Sequence, residues 1–201
     1  MMKRYVISLL GGLAVLLGSC GPKPFTAQER QIIAGEDSLM TVMVVEKDSA
    51  VLRTVCSDLS EAELQSQELR TLMDKMLYTV QHPSQDGVGI AAPQVGISRR
   101  VICVQRFDKE GEPFESYANI RIDSLCGEIV RGREGCLSIP GLRGMVPRHS
   151  RVIISYAAVP SAERRSESVE GFTSVIFQHE CDHLDGILYT DRADSLYAVT
   201  E

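Results

Sequence analysis

The sequence predicts an α+β fold, two helices with an antiparallel sheet, and three observations carry that prediction. The 201 residues suffice for one ordinary domain, since chains of roughly 100–200 residues usually fold around a single core. Two segments place apolar residues at three- and four-residue steps, the mark of one-sided helices. Between them lie short β-branched runs separated by polar or Gly-containing stretches, the pattern of antiparallel strands. Composition excludes other classes: 44% hydrophobic and 24% charged residues rule out a disordered chain, a collagen-like repeat and a polytopic membrane protein. Lys+Arg 21 against Asp+Glu 27 gives a net charge of -6, so the basic footprint of a nucleic-acid binder is missing and no nucleic-acid partner is expected.

Residues 1–19 read as a secretory signal. Lys3 and Arg4 precede a mostly apolar run, residues 5–17, that is shorter than the roughly 20 residues spanning a bilayer, and Gly18, Ser19 and Cys20 close it. The Leu17-Gly18-Ser19-Cys20 ending resembles a bacterial lipoprotein box, which implies lipid attachment at Cys20 and an envelope location facing the periplasm; without export the location is cytoplasmic. Residues 20–38, with Pro22 and Pro24, are expected to link the anchor to a folded domain over 39–201. Residues 39–45 read as a strand. Ser60 and Glu63 have capping-box spacing, and Leu69, Leu72, Met73, Met76, Leu77 and Val80 follow at helical steps, so one helix over about 61–81 is expected, its apolar stripe serving the core. Residues 100–105, 116–122, 128–131 and 152–157 read as strands, 160–168 as a polar connector, and 169–184 as the second helix.

The chemistry sits on that second helix, at His179-Glu180-Cys181-Asp182-His183. Histidines four apart project from one helical face and can share a metal ion, and Glu180 beside them can take a proton from a bound water whose pKa falls to about 7. An open catalytic site takes three protein ligands and one water position. Eighteen residues follow His183 without a histidine, and Glu201 is their only glutamate, at the chain end. The third ligand is therefore sought upstream, among His149, His82, Cys136 and scattered carboxylates. Cys136 stands out in Glu134-Gly135-Cys136-Leu137-Ser138-Ile139-Pro140, where Gly135 permits close approach and a thiolate completes a Cys-His-His set. A Gly-rich stretch over residues 87–96 lacks the Lys-Ser/Thr of a phosphate loop. Without bulky side chains, Gly89 and Ile90 can lie along a substrate backbone, with Gln94 offering an amide donor to the reaction centre.

Together, Gly87 to Gln94, Glu134 to Ser138 and Gln178 to Gly186 fill the three motifs of the peptide deformylase family in family order, and the chain resembles that family over about residues 51–192. The resemblance implies antiparallel sheets around a central helix carrying the His-Glu-x-x-His motif. It implies one divalent metal on Cys136, His179 and His183, with Fe(II) favoured and Zn(II) also suited. Glu180 would be the general acid/base, and Gln94 with the backbone N–H of Leu137 would form the oxyanion hole. The substrate would be an N-formylmethionyl peptide, releasing formate in N-terminal methionine processing. Val175 and Ile176, one turn before His179, would wall the methionine pocket, although core packing explains them equally. Arg143 matches a family arginine that contacts the peptide, although a solvating arginine fits as well. A monomer is expected, bound to the membrane through its N-terminal lipid. Two other readings use the same residues: a metallopeptidase or other N-acyl amidohydrolase of the envelope, and a lipoprotein that captures formyl peptides without turnover. Intact Glu180 speaks against the last.

Overall fold

The computed structural model describes residues 22–199; the expected signal segment, residues 1–19, and Cys20 lie outside them. Five helices and six strands follow in the order α1 (Ala27–Ala34), α2 (Val45–Leu52), α3 (Glu61–Leu64), α4 (Gln67–Gln81), β1 (Gly89–Ala91), β2 (Val101–Gln105), β3 (Phe114–Cys136), β4 (Ile139–Ala157), β5 (Arg164–Glu170), α5 (Gly171–Leu184) and β6 (Ser195–Ala198). A short 3-10 turn, Ala92–Val95, follows β1. All strand pairings are antiparallel, in the order β1-β2-β3-β4-β5 with β6 on β4. The predicted α+β class holds, and α5 is the helix that carries the metal motif.

The two principal helices bury different amounts of themselves. On α4, Leu69, Leu72, Met73, Met76 and Val80 are buried along one stripe and join Ile90, Val101 and Cys103 in one apolar cluster. Burial of each such side chain is worth about 1.5–3 kcal/mol against exposure. α5 is enclosed nearly all round: Ile176, Phe177, Cys181 and Leu184 pack on Ile102, Val104 and Val152 of the sheet. A helix that must present histidines and a carboxylate inward can do so only where other elements cover it, and here they do. Gln178 pins it to β4, accepting from the backbone N–H of His149 at 3.0 Å and donating to the carbonyl of the same residue at 2.8 Å.

Several sequence expectations need correction. Residues 39–45 form no strand; the chain splits its backbone bonds between two loops, Met43 N–H to Gln94 O (2.8 Å) and Val45 N–H to Ser138 O (3.0 Å), and α2 begins at Val45. The expected helix over 61–81 is two, because Ser66 supplies a second cap to the backbone N–H of Leu69 after Ser60 has capped Glu63. The expected connector over 160–168 contains most of β5, an edge strand whose exposed arginines and glutamates disguise its pairing with β4. The second helix accordingly starts at Gly171 rather than 169. The runs at 116–122 and 128–131 belong to one strand, bent where Gly127 (φ 73°) sits in a register shift between Cys126 and Ile129. Residues 26–35, placed within the linker, hold α1 with a complete Thr26–Glu29 capping box, and Phe25 and Ile33 are buried in the core.

Candidate active site

Cys136, His179 and His183 offer ligand atoms that all lie within 4.8 Å of one another. Cys136 ends β3 at a tight hairpin where it pairs with Ile139, and α5 delivers the two histidines from successive turns, their ring centroids 5.0 Å apart. The Sγ of Cys136 stands 3.2 Å from His183 Nε2. The Nδ1–H of His179 donates to Glu134 Oε2 at 2.8 Å, which leaves Nε2 of that ring as the free ligand atom. One thiolate and two imidazoles suit a borderline divalent ion such as Fe(II) or Zn(II), so the donor set fits a single metal.

The electrostatics are those of a site arranged for a cation. Burial alone would raise the Cys136 thiol, yet His183 and His179 hold it well below its ordinary range. Burial opposes charge on His179 too, but Cys136 and Glu134 outweigh it and raise that imidazole well above its usual value. Glu134 is buried as well, and bonds from His179 and Arg148 overcome the desolvation and bring it to about 2. It therefore stays a carboxylate acceptor for His179. Arg148 in turn bridges Glu134 (2.8 Å) to Asp182 (2.6 Å), and Arg192 closes on Asp182 from outside at 2.6 Å. Acids and bases in this buried chain are paired in sequence, which is the condition for burying them at all.

Glu180, next to His179 on α5, has no such partner. Burial raises it to about 7 against the pull of His179 and His183, and its Oε2 has no hydrogen-bond partner. The carboxylate fits because β1 runs past it without a side chain: a Cβ on Gly89 would stand 2.5 Å from Glu180 Oε1. Gln94, in the 3-10 turn, accepts the backbone N–H of Ala91 on Oε1 at 2.8 Å, which fixes the amide so that Nε2 points to Ser138 Oγ (3.2 Å) and Cys136 Sγ (3.5 Å). The result is a carboxylate with a pKa suited to proton transfer, a fixed amide donor and a soft ligand triad in one place.

A cavity of about 420 Å³ opens over this cluster, lined on one side by Phe172, Val175 and Ile176 of α5 and on another by Gly135, Leu137 and Arg143 of the hairpin. Gly89, Gln94, Cys136, His179 and Glu180 line it too. Ile90 is buried in the core behind them, so its side chain serves packing and only the backbone of β1 borders the cavity. His183 lies beneath, 1% exposed. The other candidate ligands are not here: His82 bonds Ser84 at the end of α4, and His149 sits half-buried under Gln178. Sequence reasoning gave no role to Glu134, Arg148 or Asp182. Glu134 lay inside a quoted motif, and a buried-ligand argument asking what orients His179 is the signal that finds it. Tyr189, whose ring stacks on His179 with centroids 6.0 Å apart, had no sequence signal.

Comparison with known proteins places this geometry. The family model for polypeptide deformylase matches residues 41–198. A peptide deformylase of Leptospira biflexa is 36% identical over 152 residues, covering 72% of this chain and 83% of the relative. Peptide deformylase 2 of Bordetella bronchiseptica is 42% identical over 135 residues, covering 64% and 75%. Among solved structures, the actinonin-bound class I type b peptide deformylase from Acinetobacter baumannii superimposes with a TM-score of 0.68 at 36% identity, covering 78% of this chain and 99% of that one. The chain therefore belongs to the polypeptide deformylase family.

Proposed function

We propose that this chain removes the N-formyl group from N-formylmethionyl peptides, releasing formate, and that Cys136, His179 and His183 hold one Fe(II), with Zn(II) as the ion most easily acquired instead. Bound there, the ion supplies Lewis-acid activation of the attacking water and of the formyl oxygen. Glu180 takes the proton from the water on its unpartnered carboxylate and passes it to the leaving amine, a task that a carboxyl near pH 7 performs in both directions. The Nε2–H of Gln94 and the backbone N–H of Leu137 hold the negative charge that develops on the formyl oxygen, each such donor being worth about 2.7–4 kcal/mol in a transition state. Val175 and Ile176 receive the methionine side chain, β1 aligns its backbone with the substrate from the sheet edge, and Arg143 contacts the peptide beyond. Because every group comes from one chain, a monomer suffices.

The observation that carries this reading is the buried triad with Glu180 beside it on the same helix. Formate release from formyl-Met peptides, run beside internally cleavable peptides, tests it: formate without internal cleavage is expected, and Glu180→Ala should abolish turnover while metal stays near stoichiometric. Full activity in Glu180→Ala, or cleavage of internal bonds in place of formate release, would overturn it. We propose further that the chain is exported, cleaved before Cys20 and lipidated there, facing the periplasm. The charged start, the short apolar run and the Leu17-Gly18-Ser19-Cys20 ending support that location. No helix among the described residues is long and apolar enough to cross a membrane.

A further inference from the structure

The cavity wall built by the β3–β4 hairpin carries two cations that no acid among the described residues neutralises. Glu134 pairs with Gly144, and the register shifts directly after it; there the side chain of Arg143 packs over Gly135. The missing side chain of Gly135 is what admits the arginine: a Cβ there would lie 2.5 Å from Arg143 Nη1. Arg133 pairs with Met145, and Arg143, two residues from Met145 along β4, lies on the same face, so the two arginines are diagonal neighbours within reach of one ligand. Both arginines are exposed and both line the cavity. Arg131, next outward on that face of β3, is different, since Asp194 takes its Nε at 2.6 Å. Arg143 bonds only the carbonyl of Leu142, at 3.0 Å, and Arg133 forms no ion pair. A chain of net charge -6 has acids to spare, and among the described residues none pairs with either arginine.

We infer that Arg133, acting with Arg143, makes this cavity selective for formyl peptides that carry a carboxylate beyond the methionine. The carboxylate is either an acidic side chain or the free C-terminus of a short peptide. The inference rests on the deformylase reading of the same cavity. With the methionine side chain against the apolar wall of α5, the residues that follow are left to the hairpin wall, where the arginines present planar, bidentate donors to a carboxylate. Each exposed pair contributes up to about fivefold in affinity and is screened by salt.

Four substrates separate the sources of the carboxylate: formyl-Met-Ala-Glu amide against formyl-Met-Ala-Lys amide, and formyl-Met-Ala-Ala with a free C-terminus against its amide. The wild-type metalloenzyme should prefer Glu over Lys, the free acid over the amide, or both, by about three- to tenfold in kcat/KM. The difference should lie in KM and vanish in about 1 M NaCl, where the screening length is about 3 Å. Arg133→Glu should invert the Glu/Lys ratio, a change that loss of fold cannot produce, because it is a ratio within one preparation. Equal kcat/KM for all four peptides in the wild type, or an unchanged ratio in Arg133→Glu, would overturn this inference alone. No formate from any of them would overturn the proposed function and this inference with it.

Discussion

Gly89→Ala should disable the enzyme through one carbon atom. The new Cβ would stand 2.5 Å from Glu180 Oε1, 3.0 Å from its Cδ and 2.8 Å from Ile176 Cγ2. Ordinary contact begins at 3.4 Å, so the carboxylate must retreat by about 0.9 Å. The backbone of β1 cannot absorb the shift cheaply, because Gly89 pairs with Val104 and Ile90 with Cys103 in the sheet. The helix cannot absorb it either, with Phe177, Cys181 and Leu184 packed beneath it. Displacement of a reacting group by about 1 Å costs on the order of 100-fold, and kcat on a formyl-Met tripeptide should fall by about that factor. Glu180 is outside the ligand triad, so metal content should remain near stoichiometric. Gly132→Ala is the matched control: nothing lies within 4 Å of its Cβ position, and its kcat should stay within about twofold of wild type. If Gly89→Ala, fully metallated, kept more than about a third of wild-type kcat, the placement of Glu180 against β1 would not govern proton transfer.

Three further outcomes are expected. Glu134→Gln should weaken metal binding by about 10- to 100-fold in chelator competition, because the carboxylate that orients His179 through Nδ1 is lost; unchanged affinity would remove Glu134 from the metal site. Acid stability should depend on the cluster around buried Arg106. Its bonds hold Asp108 below the usual carboxylate range, and Glu115, despite its desolvation, is also lowered by Lys109 and Tyr117. Depressed folded-state pKa values contribute stability above the unfolded carboxylate pKa of about 4 that is lost as pH falls through the folded values. The urea midpoint should therefore drop below about pH 4, and Asp108→Asn should flatten that drop; parallel curves for the two proteins would contradict the assignment. Finally, the native chain should fractionate with membranes, whereas Cys20→Ser should accumulate as an unlipidated precursor that retains residues 1–19. Native chain recovered in the soluble cytoplasm with its first residues intact would refute the anchor.

What the sequence made legible was the part of the site that local geometry sets. His179 and His183 announce themselves because four residues are one helical turn, and Gln94 and Cys136 because each stands in a small-residue setting with few other uses. The orienting groups were hidden because they act across the fold: Arg148 meets Glu134 from 14 residues away and Asp182 from 34, separations that only the paired hairpin and α5 bring together. The strand β5 was hidden for another reason. Its residues Arg164, Arg165, Ser166, Ser168 and Glu170 are exposed, so its composition is that of a loop while its backbone is that of a ladder. The helix over 61–81 was read as continuous because apolar spacing carries no information about a second cap, and Ser66 supplies one.

The segment ahead of the family match ties the proposed location to the chemistry. Family similarity begins at residue 41, yet residues 22–40 are part of the same core. Glu29, buried, binds the guanidinium of Arg99 at 2.7 Å and the backbone N–H of Ser98 at 3.1 Å. Arg99 and Ser98 directly follow the turn that carries Gln94. Gly96, in left-handed conformation (φ 82°), closes that turn, and the side chains of Ile32 and Met43 approach its missing Cβ to 3.3 and 3.2 Å. The extension thus braces the element that holds the amide donor, and from Phe25 onward the stretch expected to be a linker is part of the fold. Phe25 is already buried, and the five residues from Cys20 to Phe25 span at most about 18 Å when fully extended. Under lipidation at Cys20, that reach holds the domain against the membrane surface rather than on a long stalk. Its peptides are then met there, within a domain's width of the bilayer, whatever their source.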